Sequence, residues 1–141
     1  MHSAVIAIIR DSIFSNRLGV VEMWAGNYNR ALELFEQSLR IKKRTNTYYN
    51  LVIIYSSIGD LESAEKLKRE GIYNCRQSGS VMSKIFSASM RAFVLEAQGK
   101  FVEAEKQWRQ ILNLAYSIKK KYPVHAIDNR TWLAANLMEQ N

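Results

Sequence analysis

Three glycine-centred motifs recur along the chain: Gly26-Asn27-Tyr28 with Ala31, Gly59-Asp60-Leu61 with Ala64, and Gly99-Lys100-Phe101 with Ala104. Each is a glycine, a polar residue, a bulky apolar residue, two free positions and an alanine. Self-similarity at this period marks a stacked architecture, because one such unit cannot bury its apolar face alone. Around each glycine the apolar residues step by three and four. Phe14, Leu18 and Val21 precede Gly26, and Ala31, Leu34, Phe35 and Leu39 follow it. Tyr48, Leu51, Val52 and Tyr55 precede Gly59; Leu61, Ala64, Leu67 and Ile72 follow. Ile85, Ala88, Ala92 and Leu95 precede Gly99; Phe101, Ala104, Trp108, Ile111 and Ala115 follow. That is the period of an amphipathic helix. Each glycine therefore separates two helices, and the fold class is all-α, a stack of antiparallel helical hairpins.

Local chemistry supports the breaks. Glycine closes a helix in the left-handed conformation without steric cost. Asn27 and Asp60 can cap the following helices, Asp60 the better of the two, whereas Lys100 is a poor cap. Ala31, Ala64 and Ala104 stand one turn into the second helix of each pair, where a small side chain lets paired helices approach closely. Six glycines and one proline in 141 residues leave little room for a turn-rich β fold, and the length suits one domain. Cys75 has no second cysteine to pair with, which points to a reducing, cytoplasmic setting. The apolar run 4–9 is too short to cross a bilayer and reads as helix, not as a leader.

The net charge is +7, with clusters at Arg40, Lys42, Lys43 and Arg44 and at Lys119, Lys120 and Lys121. Both fall where a helix is expected to end, and cations there complement the helix dipole. No aromatic–basic interleaving or recognition helix accompanies them, so the pattern does not point to nucleic acid. Two histidines, His2 and His125, and one cysteine make no catalytic or metal constellation, and no phosphate-binding, zinc or redox motif occurs. Glu62–Lys66 and Glu65–Arg69 read as pairs on a solvated helix face. The chain reads as noncatalytic, with no cofactor and no metal.

On these residues the chain resembles the tetratricopeptide-repeat family, whose unit is a helix–turn–helix of about 34 residues. Leu18-Gly19, Gly26, Tyr28, Ala31, Phe35 and Leu39 stand in family register, with Ser38 where a second alanine is usual. In the second unit Lys68 and Gly71 replace an aromatic residue and an alanine. Gly26 to Gly59 is 33 residues and Gly59 to Gly99 is 40. The longer spacing is similar to the repeats of kinesin light chains, bacterial peptide-sensing regulators and protease-associated arms. The resemblance implies a right-handed superhelical stack with units at about 12–44, 45–79 and 81–121 and a closing helix at 124–140. Residues 2–10 are either the remnant of a preceding repeat or an extension of the first helix.

The resemblance also implies a site. In this family the first helix of each hairpin lines a concave groove. The register places Asn16, Arg17 and Trp24 there from the first unit, Tyr49, Asn50 and Ile53 from the second, and Phe86, Met90 and Phe93 from the third. Asn16 and Asn50 would hold the backbone of an extended segment, Arg17 a carboxylate, and the aromatic residues apolar side chains. The alternative is that Ile53, Phe86 and Phe93 pack between units. The implied function is a protein- or peptide-binding scaffold; a second reading is the sensor or docking arm of a larger regulator. The expected partner is another protein or a peptide, with self-association through the stack ends as a further expectation.

Overall fold

A computed structural model describes residues 2–121. The expected closing helix 124–140, with Pro123, His125 and Trp132, lies outside the described residues, as do the side chains of Lys119, Lys120 and Lys121. Six helices follow in order: α1 (His2–Trp24), α2 (Tyr28–Ile41), α3 (Thr45–Ser57), α4 (Leu61–Arg76), α5 (Val81–Ala97) and α6 (Phe101–Lys121). No strand occurs among the described residues.

The three glycine motifs close α1, α3 and α5 with the same pair of bonds. The N–H two residues beyond the last capping position reaches back to the third carbonyl from the end: Asn27 to Glu22 at 2.9 Å, Asp60 to Tyr55 at 2.9 Å, Lys100 to Leu95 at 2.8 Å. The glycine N–H bonds Met23, Ser56 and Glu96 in turn. This double closure needs φ near +80°, and Gly26, Gly59 and Gly99 supply +85°, +82° and +78°. Asp60 caps α4 by accepting from the Ser63 amide at 3.2 Å. Asn27 does not cap α2: its amide donates to Glu22 instead, at 2.8 Å. Ser80, not singled out in the sequence, caps α5 by accepting from the Ser83 amide at 3.1 Å.

Consecutive helices pair as hairpins, α1 with α2, α3 with α4, α5 with α6. Between hairpins, α3 touches α1, α2 and α5, and α4 touches α5, whereas α2 and α4 do not meet one another. First helices thus meet one another along the stack, α1 with α3 and α3 with α5, whereas second helices do not. The core divides accordingly. Ala31 and Phe35 of α2 enclose Leu51 and Ile54 of α3. Tyr48, Val52, Ala64, Ile72 and Cys75 of the middle hairpin take Met90 and Val94 of α5. Ala88 and Ala92 of α5 meet Ala104, Trp108, Ile111 and Ala115 of α6. All three repeat alanines are fully buried. Burying one large side chain such as Phe35 contributes about 1.5–3 kcal/mol.

A buried run of hydroxyls crosses the first interface. The Ser38 hydroxyl lies 2.7 Å from the Ser12 carbonyl, to which it donates, and 3.2 Å from the Thr47 hydroxyl. It therefore ties α1, α2 and α3 at the position where an alanine was expected. Residues 2–10 continue α1 without a break, so this helix runs past the end of α2 by about two turns.

Candidate functional site

The expected groove residues on α1, α3 and α5 sort into three environments. Arg17 is exposed and Trp24 is 82% exposed, at the middle and the last turn of α1. Tyr49, Ile53, Phe86 and Phe93 are half-buried. Asn16, Asn50 and Met90 are buried.

The aromatic residues form a connected ladder. The Tyr49 ring meets Phe86 edge-on with centroids 5.2 Å apart and Phe93 at 6.0 Å. Phe93 in turn meets Trp108 at 5.3 Å, nearly perpendicular. Edge-to-face pairs of this kind contribute about 0.5–1.5 kcal/mol beyond their buried area. Phe86 and Phe93 thus pack between helices and still present part of their surface. Burial holds the Tyr49 phenol above the ordinary tyrosine range. Behind the ladder the Trp108 indole N–H donates to the Glu96 carboxylate. That bond escaped the sequence reading, because nothing in the spacing of Glu96 and Trp108 across the Gly99 turn announces it.

Asn50 and Asn16 face each other across α1 and α3, and the Asn50 amide donates to the Asn16 carbonyl at 3.1 Å. Each is about nine-tenths buried. Two amides placed opposite one another satisfy each other more cheaply than either satisfies water through a narrow opening. They hold α1 against α3, and a peptide backbone would have to displace this bond to reach them.

Met90 departs from its expected place. It is fully buried, with its sulfur against Gly71: a β-carbon added at Gly71 would lie 2.8 Å from it and 2.8 Å from the Tyr48 β-carbon. The glycine that replaces the usual alanine on α4 opens the space that Met90 fills. Met90 is a core residue joining the second and third hairpins, not part of the groove.

On the opposite side, α4 and the 42–44 link frame an open cleft of about 840 Å³ lined by Lys43, Thr45, Tyr48, Arg69, Glu70, Tyr73 and Asn74. Asn74 secures its floor, donating to the Lys43 carbonyl at 3.3 Å while its own carbonyl accepts from Thr45 at 3.1 Å. Burial and the nearby Glu70 carboxylate raise the Tyr48 phenol above its usual value. Glu65 pairs with Arg69 at 3.8 Å, as expected, and more closely with Lys68 at 2.8 Å. Among the described residues, no three histidine, cysteine or acidic side chains converge as a metal site. No described helix is long and apolar enough to cross a membrane.

Comparison with known proteins agrees with this architecture. A tetratricopeptide-repeat family profile matches residues 16–46, which span α1 from Asn16 to its end, all of α2 and the start of α3. Two curated relatives, the photosystem I assembly protein Ycf3 of Prochlorococcus marinus strains NATL1A and NATL2A, are each 26% identical over 122 residues. Each alignment covers 83% of this chain and 70% of the relative. No solved structure matches the chain significantly.

Proposed function

Residues 16–46 are a tetratricopeptide repeat and the hairpins that follow repeat its design, and from that premise we propose that the chain is a noncatalytic scaffold whose inner surface grips a segment of another protein. The observation that supports this most is the part-exposed Phe86–Tyr49–Phe93 ladder across α3 and α5, with the exposed Arg17 and Trp24 on α1, the helix that α3 meets in the preceding hairpin. Arg17 supplies a cation for an acidic group. Trp24 supplies a large aromatic surface of the kind that dominates interface energies. The ladder supplies an apolar floor that is already ordered, so little side-chain entropy is lost on binding. The related proteins are named for assembling a larger complex. By that likeness, the task we infer is holding a polypeptide while it joins others, carried out in the cytoplasm. The assembly-protein likeness lends nothing to the regulator-arm reading.

The test is capture from native lysate by the wild-type chain beside Arg17→Ala/Trp24→Ala. Both side chains are exposed, so the double variant keeps its helical signal and melting temperature. A specific partner retained by the wild type and lost by the variant supports the inner surface. A partner held equally by both refutes it.

A further inference from the structure

The outer face of α1 carries an apolar stripe that the rest of the chain explains. Thr47, Leu51 and Ile54 of α3 face the preceding hairpin: Leu51 and Ile54 are sealed by Ala31 and Phe35 of α2, and Thr47 lies 3.2 Å from the Ser38 hydroxyl. Met90 and Val94 of α5 are buried in the same way among residues of the middle hairpin. Moving back by the 33-residue repeat, the positions of Thr47, Leu51 and Ile54 become Phe14, Leu18 and Val21. Here Phe14 is 65% and Val21 58% exposed. Ile6, 62% exposed, continues the stripe along the part of α1 that outruns α2. Among the described residues the same face is therefore covered by a helix on α3 and on α5 and exposed on α1.

We propose that this face docks an acidic amphipathic helix of a partner protein, in the manner of α2 on α3. Two observations select that occupant. The internal interface specifies its apolar pattern: a small residue, a large apolar residue and a serine at the spacing of Ala31, Phe35 and Ser38. Phe14 is bulkier than Thr47, so the residue opposite it is serine-sized or smaller. The charge pattern supplies the rest. Arg10 and Arg17 interleave with Phe14 and Val21 at helical steps and are both exposed. Arg10 has only a 4.0 Å approach to Asp11, and no ion pair of Arg17 occurs among the described residues. Two arginines in the stripe and a net charge of +7 oppose a second copy of this chain and favour carboxylates. The stripe shares Arg17 with the inner surface proposed above; Phe14, Val21 and Arg10, on which its test turns, are not used by that surface, so the two readings fail separately.

The probe is a side-chain-stapled peptide with the sequence of residues 27–41 carrying Arg30→Glu and Arg40→Glu, labelled for fluorescence polarisation against the full chain. Saturable binding is expected, weakened at least about ten-fold by Phe14→Ser/Val21→Ser and by Arg10→Glu. The same peptide with Glu33→Lys and Glu36→Lys should bind weaker by a similar factor, and added salt should weaken the acidic one. Because the substituted side chains are exposed, circular dichroism and melting temperature stay unchanged. Absence of saturable binding overturns the proposal. So does binding that survives Phe14→Ser/Val21→Ser, since the peptide would then sit elsewhere. A dimer in light scattering that the same pair of substitutions dissolves also overturns it, by seating a second copy on the face.

Discussion

Two glycines inside helices carry much of the packing logic at the scale of single residues. A β-carbon at Gly19 would lie 2.6 Å from the Phe35 ring. Alanine is the better helix former by about 1 kcal/mol, yet the rigid ring cannot yield. Gly19→Ala should therefore lower stability by about 1–3 kcal/mol in urea titration, the cost of overpacking. A neutral or stabilising result would mean that Phe35 has room to move. Tyr49 gives a pH signature. Its folded-state phenol stays protonated above the pH at which the unfolded phenol ionises, so the native state binds more protons there. Its contribution is intact below about pH 10 and is lost as pH rises beyond. Tyr49→Phe should flatten the alkaline fall in unfolding free energy, and an unchanged slope would assign that fall to other groups. Both Gly19 and Tyr49 stand out in the sequence by register. What register could not show is that Asn16 and Asn50 bond one another or that Met90 turns into the core. Those outcomes depend on which side chain happens to face it, and Gly71 decided the second.

Helices themselves were legible because their period and their stops agree. The Gly motifs placed three of the turns, and the double closing bonds appear at all three. Start signals were read less well, since Asn27 spends its amide on Glu22 while Ser80 does the capping that no motif flagged. The difference is measurable. Asp60→Ala and Ser80→Ala should each cost about 0.5–2 kcal/mol, with Asn27→Ala costing only a few tenths, in thermal or urea unfolding. A loss at Asn27 equal to that at Asp60 would mean the Glu22 bond serves the helix as a cap would. The hydroxyl run is the other feature set between elements. Ser38→Ala leaves the Ser12 carbonyl and the Thr47 hydroxyl short of a partner at the meeting of three helices. It should destabilise by about 1–3 kcal/mol, although alanine suits that position by size.

Across the described residues, contacts run only between neighbouring hairpins: α1 and α2 meet the middle hairpin through α3, α5 meets both α3 and α4, and the outer pairs do not meet each other. Stability in such a stack is close to a sum of units and of the interfaces between them. Amide exchange should therefore be slowest in α3, which meets the hairpins on both sides, and fastest in the overhanging first turns of α1. Uniform protection from α1 to α5 would show one undivided cooperative block instead. The repeat made this plan readable from the sequence, whereas which residues are left facing solvent emerged only from how the hairpins pack. The missing link between the outer hairpins also has a meaning for signalling. Among the described residues the middle hairpin is the sole messenger between α1–α2 and α5–α6. A ligand seated on α1 is felt at α6 only to the extent that α3 and α4 yield, so stiffening that hairpin would leave both ends able to bind and deaf to each other.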